Sequence, residues 1–208
     1  MVKNSRIDEM KMNGNWLCLD YLNTIRHRFK DPVESYLLDI NDLLYWGVEK
    51  VQLLDGEQYA LMEQRAVAQP EAAAAFFTEA MNIRQLLDKI FYPISQKATP
   101  APDDLAAFNA ALRFYRGHEE VYPLGRGYGV SRDWECGDFH QLIAPIVSSA
   151  FDLLTSSSLE RVGACPGCGW VYLDVTKNGK RRWCSMEGCG SAAKAREYYH
   201  RCKGAASS

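Results

Sequence analysis

The amino-acid sequence predicts a mainly α-helical domain with one small β-hairpin, followed by a four-cysteine zinc ribbon or treble-clef-like finger built from a β-hairpin and a helix. Three observations lead there. Apolar residues recur at helical spacing through most of the first 160 residues. Four of the seven cysteines crowd together as Cys165-x2-Cys168 and Cys184-x4-Cys189. Charge divides at nearly the same place: residues 161–208 hold nine Lys/Arg against three acids, whereas the preceding residues hold 15 against 23. We therefore divide the chain into a helical domain, 1–158, and a finger, 159–208.

The elements follow in order. In "NWLCLDYLNTIRHRF" (15–29), Cys18, Tyr21, Leu22 and Ile25 fall at i, i+3, i+4 and i+7 and predict a helix. "ESYLLDINDLLYWGVEK" (34–50) predicts a short helix ending near Gly47, and "GEQYALMEQRAVAQ" (56–69) another. The longest periodic segment is "PEAAAAFFTEAMNIRQLLDKIFYPISQK" (70–97). Pro70 suits its first turn, where the amide it lacks has no helical partner anyway, and Pro93 is expected to end or kink it. "TPAPDD" (99–104) is a turn in which Asp103 or Asp104 caps the helix of "LAAFNAALRFYRG". "EVYPLGRGYGVSRDWEC" (120–136) places valine and aromatics on either side of a glycine-rich turn, a hairpin signal. "DFHQLIAPIVSSAFDLLTSS" (138–157) returns to helix.

The two cysteine pairs can chelate one ion, because thiolates two to four residues apart converge from a tight turn, and Pro166, Gly167 and Gly169 suit such a turn. Between the pairs, "WVYLDVTKNGKRRW" (170–183) predicts a hairpin about an Asn-Gly turn, and "SAAKAREYYHRCK" (191–203) predicts a helix starting at the last ligand. Four thiolates close a tetrahedral sphere, so the expected cofactor is one structural Zn2+, with iron the rival for an all-sulfur site. So short a segment has little core of its own, and a metal makes up the deficit. His200 and Cys202 lie too far along the helix to serve as ligands, and Cys18 and Cys136 read as packing residues.

No apolar run approaches the ~20 residues that span a bilayer. The N-terminus shows no signal-like stretch, so the expected compartment is the cytoplasm, where thiols stay reduced. No nucleophile elbow, P-loop, dinucleotide fingerprint or His-Glu zinc protease motif occurs, and an enzyme is not expected.

"CPGCGWVYLDVTKNGKRRWCSMEGCGSAAKAREYYHR" (165–201) resembles the CGNR-type zinc finger found at the C-terminus of bacterial stress-induced transcription regulators. Upstream, "WLCLDYLNT" (16–24), "DLLYWG" (42–47) and "AFDLLTSSSLERVGAC" (150–165) resemble the ABATE domain that precedes this finger in the family. The resemblance implies a DNA-binding transcription regulator with a ligand-sensing or dimerising N-terminal domain. The Cys-Gly-Asn-Arg that names the finger reads Cys189-Gly190-Ser191-Ala192 here. Ser191 is expected to cap the next helix, whereas Ala192 cannot replace an arginine on phosphate or a base edge.

A basic module on an acidic body points to a polyanion, and double-stranded DNA is the expected partner. Lys180, Arg181 and Arg182 on the hairpin are the candidate phosphate contacts, with Lys194, Arg196 and Arg201 on the helix. Trp170 and Trp183 are expected to pack around the metal. The alternative is a zinc-stapled protein-interaction module whose basic face docks on an acidic surface, including this chain's own body. In the N-terminal domain, Asp20, Asn23 and Thr24 form a polar stripe that His140 can join, either lining a pocket for a small-molecule effector or forming an interhelical network. A homodimer is a further expectation.

Overall fold

The computed structural model describes residues 4–205. Among the described residues there are eight α-helices: α1 (Ser5–Asp8), α2 (Leu17–Leu22), α3 (Ile40–Glu49), α4 (Gly56–Ala68), α5 (Pro70–Ser95), α6 (Pro102–Arg116), α7 (His140–Thr155) and α8 (Ser191–Ala205). Two antiparallel hairpins interrupt them: β1 (Glu119–Leu124) with β2 (Gly127–Arg132), and β3 (Val162–Ala164) with β4 (Val171–Leu173). The predicted class, helices plus one hairpin and then a finger of hairpin and helix, is the one observed.

α5 is the spine. Ala73, Phe76, Ala80, Ile83, Leu87, Ile90 and Phe91 recur at three- and four-residue steps along its buried stripe, and α2, α3, α4, α6 and β3 pack against it. Pro93 falls in the last turn of α5, which runs on to Ser95 before it ends. α6 begins at Pro102, with Asp103 and Asp104 inside its first turn rather than capping it. There the carboxylates meet the positive end of the helix dipole instead of a single amide.

Two corrections matter for the site. The helix predicted over 15–29 spans only Leu17–Leu22, and Cys18 through Leu22 are all buried. Asn23 caps it, its backbone amide still donating to the Leu19 carbonyl while its side-chain amide bonds Val171 of β4. The hairpin predicted about the Asn-Gly turn is also different, because β4 pairs backward with β3 across the Cys165–Cys168 turn. The carboxylate of Asp174 accepts from the Thr176 amide, the Thr176 hydroxyl and the Arg181 amide, which folds residues 175–181 into a loop. Residues 180–183 consequently form no strand.

Candidate metal centre and nucleic-acid interface

Cys165 and Cys168 lie on the knuckle joining β3 to β4. The Cys165 amide donates to the Trp170 carbonyl at 2.8 Å and the Gly169 amide to the Cys165 carbonyl at 2.8 Å. Gly169 adopts φ +79°, and a Cβ there would meet the Arg28 side chain at 2.6 Å, so only glycine fits. Cys184 follows the 175–181 loop, and Cys189 lies in a π-helical turn, Met186–Gly190, that runs straight into α8. Ser185 caps that turn by accepting from the Gly188 amide, and the hydroxyl of Ser191 instead donates to the Met186 carbonyl at 2.8 Å. The cap predicted at Ser191 therefore sits at Ser185, because the helix starts one turn earlier.

The four Sγ atoms lie within 4.8 Å of one another, and those of Cys168 and Cys184 are 3.5 Å apart. Zinc–sulfur bonds of about 2.3 Å in a tetrahedron set sulfurs roughly 3.8 Å apart, so the cluster fits one ion. Cys165, Cys168 and Cys184 are buried and Cys189 half-buried. Thiols packed this tightly cannot all ionise unaided: Cys165 is driven well down by the S–H groups of Cys168 and Cys184, and its thiolate holds both of them protonated. A divalent cation removes that conflict. His200 and Cys202 stand apart on α8, exposed.

The metal knuckle is seated in the helical domain. The outer edge of β4 is closed by residues preceding and following α2: the Leu173 amide donates to the Gly14 carbonyl, Asn15 Nδ2 to the Leu173 carbonyl, and the side-chain amide of Asn23 both donates to and accepts from Val171. Trp170 Nε1 donates to the Ile25 carbonyl at 2.7 Å. The Arg28 amide bonds Cys168 O and its guanidinium bonds Gly169 O, paired also with Asp88. Cys165, Cys168, Trp170, Tyr172 and Cys184 thus share a buried cluster with Ile25. Asn23, Arg28 and Trp170 carry this seam; the sequence points to Trp170 as a packing residue and to Asn23 only as part of a polar stripe, and it does not single out Arg28.

Arg181 was expected on phosphate and is instead committed inward. Its guanidinium lies over the Tyr172 ring and donates to the carbonyls of Asn13, Leu173, Trp183 and Cys184. It is the bolt between finger and body. Arg182 points outward over Trp183 and, with Lys177, Lys180 and Ser185, lines a hollow of about 630 Å³. Lys194, Arg196 and Arg201 are exposed on α8 and form no ion pair among the described residues. α8 packs chiefly on the turn that carries Cys189.

The predicted pocket does not assemble. Asp20 accepts from the Gly14 amide, Asn23 holds β4, and Thr24 donates to the Tyr21 carbonyl and accepts from Arg84. Burial pushes the carboxyl of Asp20 up to about 6, although the Gly14 amide and the Arg181 charge pull the other way. His140 lies elsewhere, bonded to Asp138 and paired with Glu79, with its ring stacked on Trp134, which also stacks with His118. These carboxylates raise the His140 pKa, and the histidine lowers that of Glu79. The polar stripe is a hydrogen-bonded network: Asp20 and Thr24 bond within the helical domain, and Asn23 joins that domain to β4 of the finger.

Two family models match the chain. The ABATE model, described as "Putative stress-induced transcription regulator", covers residues 15–157, and the CGNR zinc finger model covers 161–202. The chain belongs to the ABATE family. Its four cysteines are the ligands of one structural zinc ion, as the CGNR finger and the converging thiols together require. No curated protein matches the sequence. Within this ABATE protein, no described helix is long and apolar enough to cross a membrane.

Proposed function

We propose that this ABATE protein is a cytoplasmic, DNA-binding transcription regulator. One observation carries the reading: α8 rises from the zinc turn with Lys194, Arg196 and Arg201 exposed and without an ion pair among the described residues. A helix whose faces all meet water gains little from packing, and its charges remain available to phosphates. Lys177, Lys180 and Arg182 extend the same basic surface around the hollow beside Trp183. The acidic body repels a polyanion, which leaves the finger as the approach side. The alternative, a finger whose basic face docks on its own body, fits less well, since the docked part is the knuckle and Arg181.

The N-terminal domain would supply regulation. In place of the Asp20–His140 grouping, we assign an effector to the hollow of about 890 Å³ between α1, α3 and α4, lined by Arg6, Asn41, Tyr45, Tyr59 and Val67.

The test is fluorescence anisotropy of the zinc-loaded protein on mixed-sequence duplex DNA across a salt series. A steep loss of affinity with salt is expected, and a Lys180→Ala/Arg182→Ala variant should bind more weakly with a slope shallower by about two. Absence of binding even at low salt overturns direct DNA recognition.

A further inference from the structure

His140 meets a carboxylate at each ring nitrogen. Its Nδ1 lies 2.7 Å from Asp138 Oδ1, which also accepts from the His140 amide, and its Nε2 lies 3.6 Å from Glu79 Oε2 on α5. From α6, the Tyr115 hydroxyl donates to the other Glu79 oxygen at 2.8 Å. From α4, Arg65 lies over the neighbouring Phe139 ring. Trp134 stacks on the imidazole with ring centres 4.9 Å apart, and His118 stacks on Trp134 at 3.8 Å. The indole Nε1 is buried without a hydrogen-bond partner among the described residues, so ring contacts place Trp134. His118 Nδ1 is in turn 2.6 Å from Asp133 Oδ1, and the Asp133 amide donates to the His118 carbonyl. Rings therefore join the neck of the β1–β2 hairpin to α7 and α5.

We infer that His140 is a pH-sensitive latch that holds the 133–139 connection, and with it the hairpin neck, on α5. An imidazolium has two N–H groups, one for each carboxylate, whereas a neutral imidazole has one. Asp138 makes the shorter contact and is fixed by the His140 amide, so Nδ1 keeps its proton as pH rises. Nε2 releases its proton to water, and its lone pair then faces the Glu79 carboxylate. Attraction across that gap becomes repulsion. The stack on Trp134 weakens at the same step, because it loses its cation–π part. A positive charge at the first residue of α7 is opposed by the helix dipole, and the carboxylates must outweigh that. They do: Glu79 first, against burial, and then Asp138 raise the His140 pKa above its ordinary value. The latch is thus closed below the ordinary imidazole value and opens as pH rises through the raised one. It is independent of DNA binding by the finger.

Hydrogen exchange of the zinc-loaded full chain between about pH 6.5 and 8.5, corrected for the intrinsic rate, tests the latch. Protection of residues 133–142 should fall about tenfold across that range while α5 keeps its own. Glu79→Gln should abolish the step, because a carboxamide donates to the bare Nε2 that a carboxylate repels. The His140 ring resonances should titrate above the ordinary imidazole range in wild type and lower in Glu79→Gln. His140→Gln removes the titrating ring and should also abolish the step, which keeps the test open if Glu79→Gln fails to fold. His118→Gln should retain it. Wild-type protection indifferent to pH, a step that survives Glu79→Gln or His140→Gln, or one lost only in His118→Gln would each overturn the proposal.

Discussion

Arg181 and Arg182 are neighbours of one chemical type with opposite work. Arg181 donates to four carbonyls, and truncating it takes this donor from those of Asn13, Trp183 and Cys184, while Leu173 keeps Asn15. We expect Arg181→Ala to cost about 2–4 kcal/mol, read from urea denaturation. Arg182→Ala should stay within about 0.5 kcal/mol of wild type while making the salt dependence of DNA binding shallower by roughly one. Adjacent sequence positions could not separate these roles, since a run of like charge reads as one surface until a Tyr172 ring and four carbonyls claim one member. Asp20 supplies a pH signature. Its pKa is raised from the usual carboxylate value to about 6, so the folded state holds its proton more tightly than the unfolded chain. That contribution is present below the unfolded value and lost as pH rises through about 6. Relative to Asp20→Asn, wild-type stability should therefore fall by roughly 2 kcal/mol between pH 4.5 and 7.5, the part of the two-unit shift that lies above pH 4.5. A parallel pH dependence in the two proteins refutes the assignment.

Among the elements, those with long periodic stripes were the legible ones. α5, α7 and the β1–β2 hairpin appear where apolar spacing and the Gly125-Arg126 turn place them. α2 and β4 were misread for one reason: both are completed by a side chain acting as backbone. Asn23 behaves as a strand neighbour of Val171, and Asp174 gathers three donors that a second strand would otherwise have met. Periodicity carries no trace of such substitutions. The four cysteines were legible because chelation fixes their spacing, whereas the pocket residues were chosen from polarity alone and polarity also serves hydrogen-bonded seams. α8 offers the element-scale test. Lys194→Ala/Arg196→Ala/Arg201→Ala should leave the melting temperature nearly unchanged, because α8 buries almost nothing, yet reduce the salt slope on DNA by roughly 2–3. A large drop in melting temperature would instead show that α8 packs on the body.

For the whole molecule, the zinc ion sits in a cluster that includes Ile25 of the helical domain, so metal and body share one core. Chelation should destabilise more than the finger. Hydrogen exchange is expected to accelerate at residues 14–28 as well as 162–190 when zinc is withdrawn, with α5 losing protection last. Fast exchange confined to the finger would mean that the two parts unfold separately.

The closed edge of β4 has a practical consequence for anyone wishing to transplant this finger. Cut at residue 159, it would leave behind the Gly14 carbonyl, Asn15 and Asn23, exposing a strand edge, and Trp170 and Arg181 would lose the carbonyls of Ile25 and Asn13. Such a graft invites edge-to-edge association with its new host. The portable unit is the finger together with residues 13–28, two stretches of chain far apart in sequence, so exchanging fingers between relatives means exchanging both.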